Sequence, residues 1–241
     1  MSLEDPSEAV ARATPLSHPS TTPMGRSATS DRKGLRSSVS TTVARLQEEI
    51  LGRRGDRRQV GARATLATLR RSAGRPPEKE PVAWQTVLDS LNPPLLDWEV
   101  GRTDKPSPSE RAAFDAITLF ALHIQSRTST MHVSGRSFGT AMGMLRRVRE
   151  SSSIKPRFDA LLTSLDGRSR LIHARSLINL LRSEDIGFDY GMFAQDLRSL
   201  VSADRRHGVL LRWGRDFSTR PYREKETEET TATSVAEPPV S

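Results

Sequence analysis

The chain has 241 residues and a formal net charge of +8 at pH 7, and 32 of its 37 basic residues are arginine. It contains no cysteine, which excludes disulfides, thiolate catalysis and zinc sites built on cysteine. Arginine presents a planar fork of donors that suits phosphate, although a high arginine count can also reflect genomic base composition, so the placement of the arginines has to decide.

The two ends of the chain differ in composition from its middle. Residues 1–40 are rich in Ser, Thr, Pro and Ala, and their apolar residues do not recur at a regular spacing. The segment after residue 218 is rich in glutamate. We predict a disordered N-terminal extension over 1–40, one folded domain over 41–218 and a disordered acidic tail over 219–241. A secretory signal pattern and a transmembrane run are both missing from the sequence, so we expect a cytoplasmic protein that does not contact a membrane.

Three amphipathic segments come first. Apolar residues at helical spacing predict a helix over Thr42–Arg54 and another over Pro81–Leu91. Between them a further helix is predicted, which includes Val60 and ends before Gly74. Val60 and Val82 are expected on the buried sides of the second and third helices. Residues 92–108 are predicted to form a loop.

The segment Ser109–Gln125 is predicted to be the central helix. Between Ala112 and Ile124 its apolar residues fall on every side of the helical turn, and Asp115 is the only charge before His123. A helix that is apolar all round must be surrounded by others, and this one is too short to cross a bilayer, which takes about 20 residues. Ser109 is expected to cap its start.

Further helices are predicted in the second half of the chain. A polar loop follows the central helix, and helices are then expected over residues 137–150, from Pro156, over 168–185, over 189–202 and over 204–218. Gly139 and Gly143 would let another backbone approach closely. No segment alternates as a strand would. The predicted fold class is therefore all-α, a compact helical bundle of about seven to nine helices with disordered termini.

One short motif resembles a catalytic signature. Residues 135–139 match the Gly-x-Ser-x-Gly pattern of a hydrolase, with Ser137 as the nucleophile, but that motif needs a preceding strand and a polar loop stands there instead. The five histidines show no metal-ligand spacing, and no phosphate loop or dinucleotide motif occurs. We predict no catalytic residue, no metal and no cofactor, and Ser137 is interpreted as the cap of a helix.

Arginines on several helices form the candidate binding surface. Arg168, Arg175 and Arg182 are seven apart, drift by only about 20° per step and have no acid on their own face. Other helices present further arginines, and convergence of these groups would create a track for nucleic acid. The remaining arginines that we assign to this surface from their position on the helices are Arg63, Arg70, Arg71, Arg146, Arg157, Arg205 and Arg206.

We expect this surface to contact the nucleic-acid backbone without reading sequence. The segments lack exposed aromatics for stacking on bases, and no helix-turn-helix with a polar recognition face is present. Two alternatives are a free-standing helical DNA-binding transcriptional regulator and a hydrolase using Ser137. A third interpretation is that each arginine face is merely solvated.

The order of segments resembles the CasB family, the small subunit of the type I-E CRISPR surveillance complex (Cascade). The resemblance covers roughly residues 42–218 and is carried by "ARATLATLRRSAG", "VAWQTVL", "AAFDAITLFALHIQ", "SFGTAMGML", the run from "PRFDALL" to "RSLV" and "LLRWGRDF". It implies an all-helical, non-catalytic protein. Two copies of such a subunit lie along guide RNA and target DNA among the other Cascade subunits and stabilise the R-loop. By position, it implies backbone contacts from Arg70, Arg71, Arg157, Arg168, Arg170, Arg175, Arg205 and Arg206.

Overall fold

The computed structural model describes residues 34–149 and 152–219 of the chain. The predicted disorder of residues 1–33 and of the acidic tail from residue 220 lies outside the described residues. Within the described ranges the chain forms nine α-helices and no strand, which confirms the all-α fold. The helices are α1 (Gly34–Ile50), α2 (Asp56–Arg71), α3 (Pro81–Ser90), α4 (Pro108–His123), α5 (Phe138–Arg149), α6 (Ile154–Thr163), α7 (Gly167–Ser183), α8 (Tyr190–Val201) and α9 (Ala203–Ser218).

Helix α4 is the centre of the bundle, as predicted. Every residue from Ser109 to His123 is buried except Arg111, and α8, α2, α7, α1 and α3 all pack against this helix. Apolar residues on every side of this helix in the sequence therefore indicated correctly that its neighbours enclose it. Among the described residues, no helix combines the length and the apolarity needed to cross a membrane.

The cap of α4 is Ser107 rather than the predicted Ser109. The Ser107 hydroxyl accepts from the Glu110 amide at 3.0 Å, and the Glu110 carboxylate accepts from the Ser107 amide at 2.7 Å. This reciprocal pair is a capping box, and it sets the start of the helix at Pro108. Ser109 is instead buried in the first turn, where its hydroxyl lies 3.5 Å from Glu99.

Helix α1 begins at Gly34, eight residues before the predicted start, so residues 34–40 are part of the fold and not of a disordered extension. Its buried side includes Gly34, Ser38 and Thr42, small residues with little hydropathic signal. They pack against the chain before α4, where the Ser38 hydroxyl donates to the Pro94 carbonyl and a Cβ on Gly34 would clash with Glu99. Another side of α1 meets α8, where a Cβ on Gly191 would lie only 2.5 Å from the Arg36 carbonyl oxygen. The start of the helix was missed because Leu35 and Val39, its buried apolar residues there, stand among small and polar residues and give a weak apolar period.

Two apolar residues predicted to be buried are exposed. Val60 is 64% exposed and Val82 is 69% exposed. Helix α2 buries the stripe of Ala62, Leu66 and Leu69, and Val60 falls outside that stripe. Only one narrow side of α2 and of α3 faces the bundle, so the broad apolar sides predicted for them were wrong at these positions.

Helices α5 and α9 pack backbone against backbone. A Cβ on Gly139 would lie 2.6 Å from the Trp213 carbonyl oxygen, and one on Gly143 would lie 2.7 Å from that of Phe217. The two glycines therefore serve the close approach that the sequence predicted. This contact fixes α9 against α5, and the first turn of α9 lies beside the C-terminal end of α8.

Candidate nucleic-acid interface

Four arginines line a cleft of about 510 Å³ between the turn that follows α2 and helices α4, α7, α8 and α9. The four are Arg111 of α4, Arg168 and Arg170 of α7, and Arg206 of α9. We call this space the arginine cleft. Three of its arginines, all but Arg111, were predicted to belong to the binding surface, and the fold brings them together from two helices that are distant in sequence.

The N-terminus of α7 opens onto the arginine cleft. Asp166 caps this helix, because its carboxylate accepts from the Ser169 amide at 2.8 Å, and that hydrogen bond lowers the pKa of Asp166. The cap fixes Gly167, Arg168 and Arg170 in the first turn, all of which line the cleft. The carboxylate of Asp166 therefore already occupies the N-terminal amides of α7, and the attraction of this wall for an anion comes from its arginines.

The four arginines of the cleft differ in how many contacts their side chains make within the protein. Arg168 is exposed, and its side chain has no hydrogen bond or ion pair within the described residues. Arg206 donates through Nε to the Leu200 carbonyl at 3.0 Å. Arg111 pairs with Glu78 at 3.2 Å, with both side chains about half exposed. Exposed pairs of this kind are weak.

Arg170 is the buried member of the group. It is 4% exposed, its guanidinium donates to the Ser164 carbonyl, and its Nε has no hydrogen-bond partner within the described part of the chain. Burial and the neighbouring Arg206 lower its pKa. The family resemblance implied a backbone contact from Arg170, and the structure buries this residue in the wall of the cleft.

Asp115 also lines this cleft. The residue is 8% exposed and its Oδ1 has no partner among the described residues. Burial raises the pKa of Asp115 to about 7, against the opposing influence of Arg111. The sequence marked Asp115 only as the single charge in an apolar run, which is the one signal that could have pointed to it.

A second group of arginines continues from the cleft onto α2. A Cβ on Gly74 would lie 3.3 Å from Cδ of Arg175, so this α7 side chain rests against the turn that ends α2. Arg70 and Arg71 occupy the last turn of α2 just before that glycine. Neither has an ion pair within residues 34–149 and 152–219. We call Arg63, Arg70, Arg71, Arg168, Arg175 and Arg206 together the basic face.

The other predicted arginines lie elsewhere or have partners inside the protein. The guanidinium of Arg146 stacks 4.9 Å from the centre of the Phe217 ring. Arg182 is half-buried and donates to the Leu122 carbonyl at 3.4 Å and to Gln125 at 3.2 Å. Arg157 is exposed on α6 and is not in the cleft wall.

Arg205 and Arg206 point into different spaces. Arg205 lines a separate groove with Asp196 and Asp204, whereas Arg206 lines the arginine cleft. The two openings lie on opposite sides of α8, because the residues of that helix that line them are about half a turn apart. The consecutive pair in the sequence is therefore not one binding element.

Ser137 caps a helix, as the sequence predicted. Its hydroxyl accepts from the Thr140 amide at 3.0 Å and donates to Asp216 at 2.6 Å. It has no histidine partner within the described residues, and helix α5 starts at the next residue. The Gly-x-Ser-x-Gly motif thus forms a loop and a cap rather than the strand-to-helix turn that the catalytic motif requires.

Comparison with known proteins gives one consistent result. The sequence model described as "CRISPR-associated protein Cse2" matches residues 65–217. The structure of CasB from Thermobifida fusca shares 27% identity and a TM-score of 0.62, over 77% of this chain and 98% of that one. CasB from Thermus thermophilus shares 25% identity and a TM-score of 0.53, over 76% and 96% of the two chains.

A chain of a CRISPR RNA-guided surveillance complex has the same fold. It shares 19% identity and a TM-score of 0.56, over 76% of this chain and 92% of that one. Among curated proteins, none matches the chain.

Proposed function

The chain belongs to the Cse2 family of CRISPR-associated proteins, and on that basis we propose that it is a non-catalytic small subunit of a type I-E CRISPR surveillance complex (Cascade). In this role it binds the backbone of guide RNA and target DNA, stabilises the R-loop and contributes to antiviral defence in the cytoplasm. Its partners are the other Cascade subunits and a second copy of itself. The similarity to a chain of an RNA-guided surveillance complex supports this proposal.

The basic face is the part of the chain that we assign to the nucleic-acid backbone. The observation that carries the assignment is the pair Arg168 and Arg175, which are exposed and without ion pairs within the described residues. They are about 10 Å apart along α7, and the α2 turn at Gly74 lies beside Arg175. Guanidinium groups not neutralised by carboxylates are free to displace counterions from phosphates.

Replacing Arg168 and Arg175 together with glutamine is expected to weaken binding to any single strand by roughly tenfold or more. Two lost phosphate contacts should also reduce the slope of log K against log salt by about 1.4, since each contact to a single strand contributes about 0.7. Fluorescence anisotropy with two unrelated strands, across a range of salt concentrations, measures both quantities.

The matched control removes the same charge elsewhere. Arg54 and Arg102 are exposed, have no ion pair within the described residues and lie outside the basic face, so their double glutamine variant should retain the slope of the unaltered chain. Equal losses in the two double variants would show that only net charge matters. A preference for one sequence by about 10³-fold, typical of specific binding, would instead favour the free-standing regulator.

A further inference from the structure

Two buried charged side chains in the arginine cleft have unused hydrogen-bonding atoms. Within the described residues, Oδ1 of Asp115 and Nε of Arg170 have no partner, and the two residues are only 8% and 4% exposed. Buried polar atoms are nearly always paired, and each exception needs an explanation. Both residues line the cleft, so a polar ligand seated there would contact the side chains that carry the unused acceptor and the unused donor.

The remaining walls of the cleft are suited to a flat ring. Ala112, Leu171 and Leu200 line it, and its volume of about 510 Å³ is within the range of small-ligand pockets. Two apolar side chains at the cleft are unusually exposed, Leu165 at 90% and Val201 at 62%. A ring entering the cleft would contact apolar surface while its edge met Asp115 and Arg170.

The charge around the cleft adds a place for phosphate. The Arg168 side chain has no ion pair within the described residues, and Arg206 donates to the protein there only through its Nε. Phosphate alone would leave the Asp115 carboxylate unsatisfied. The carboxylates of an acidic peptide could pair with the arginines but would offer no donor to Asp115, which lines the cleft with them. A ligand with a phosphate and a ring bearing both donors and acceptors fits all of these groups.

We propose that the arginine cleft holds one unpaired nucleotide of the bound strand, with its base edge on Asp115 and Arg170 and its phosphate on Arg168 and Arg206. This inference rests on the proposed function, because the strand delivers the nucleotide. Flipped and single-stranded bases are commonly recognised by hydrogen bonds to their edges and by apolar contact to their faces. Guanine suits the cleft best, since its N–H groups can donate to a carboxylate while O6 and N7 accept from a guanidinium.

The test compares a nucleotide with the same phosphate lacking a base. Titrating the full chain with guanosine monophosphate and with ribose 5-phosphate, by calorimetry, should show at least tenfold tighter binding of the nucleotide. Asp115→Asn should weaken guanosine monophosphate about tenfold and leave ribose 5-phosphate unchanged. This variant keeps the shape of the side chain and removes a buried charge, so it should fold, which its melting temperature checks.

Controls separate this inference from the proposed function. Asp104→Asn alters an exposed carboxylate outside the cleft and should change neither titration. Equal affinity for the two ligands, an unchanged guanosine monophosphate affinity in Asp115→Asn, or equally tight binding of a tetraglutamate peptide would overturn the nucleotide site even if strands still bind with normal salt dependence. Failure of every strand to bind, with guanosine monophosphate still held, would instead overturn the proposed function.

Discussion

Replacing Ala121 with aspartate is expected to unfold the domain. Ala121 is 1% exposed in the middle of α4, the helix that five others pack against. A carboxylate there would be buried without a partner, at a cost of several kcal/mol per ion, and its bulk would overpack the core in addition. Because whole domains are stable by only about 5–15 kcal/mol, little or no native structure should remain.

Circular dichroism melting and gel filtration measure this effect. The matched control is Ala203→Asp, the same substitution at an exposed position in the first turn of α9. An acid at a helix N-terminus is neutral or slightly stabilising, so this variant should melt like the unaltered chain. A soluble Ala121→Asp protein with the native melting temperature would show that α4 is not the centre of the fold.

The second large effect concerns Glu99, which holds three parts of the chain together. Its carboxylate is fully buried, accepts from Arg198 at 2.8 Å and from the amide of Leu35 at 3.1 Å, and also accepts from the Leu96 amide at 3.3 Å. The side chain of Arg198 is itself only 10% exposed. The loop before α4 is thereby tied to α8 and to the start of α1.

Glu99→Ala is expected to destabilise the domain by about 3–5 kcal/mol, because it leaves the buried Arg198 guanidinium uncompensated. Denaturation by urea measures the change. The matched control is Glu48→Ala, which breaks an ion pair of the same 2.8 Å length to Arg53, but on the surface, and should cost at most about 1 kcal/mol. Equal losses of unfolding free energy in the two variants would contradict the claim that burial makes the Glu99–Arg198 pair important for stability.

A compensating change sharpens the test. Combining Glu99→Ala with Arg198→Leu removes both charges, so it should recover part of the stability lost in the single variant. No recovery would indicate that the two amide hydrogen bonds to Glu99, rather than the ion pair, account for the loss.

The sequence predicted those features of the fold that depend on strong local patterns. The apolar residues of α4 occupy every side of the helix, which indicates that other helices surround it. Gly139 and Gly143 indicated a close contact with another backbone, which the structure shows to be that of α9. The first two turns of α1 were missed because Leu35 and Val39 stand among small and polar residues, so their apolar spacing is a weak signal. The cap at Ser107 was detectable, since Glu110 stands three residues later as a capping box requires.

The binding surface was less predictable because it depends on tertiary neighbours. A helical wheel places Arg168, Arg175 and Arg182 on one face, but only the packing of α7 beside the end of α4 shows that Arg182 reaches the Leu122 carbonyl. The burial of Arg170 depends on the turn before α7, whose Ser164 carbonyl accepts from it. The cleft around Asp115 is likewise formed by residues up to 91 positions away in sequence, at Arg206.

Cross-linking tests the basic face most directly. A single-stranded RNA containing 4-thiouridine would be bound by the full chain, irradiated and digested, and the attached peptides identified by mass spectrometry. Attachment concentrated in peptides that contain Arg63–Arg71 of α2 and Arg168–Arg175 of α7, and lost in the Arg168 and Arg175 double glutamine variant, is the predicted result. Attachment confined to α1, α3, α5 or α6, or unaffected by the double variant, would contradict it.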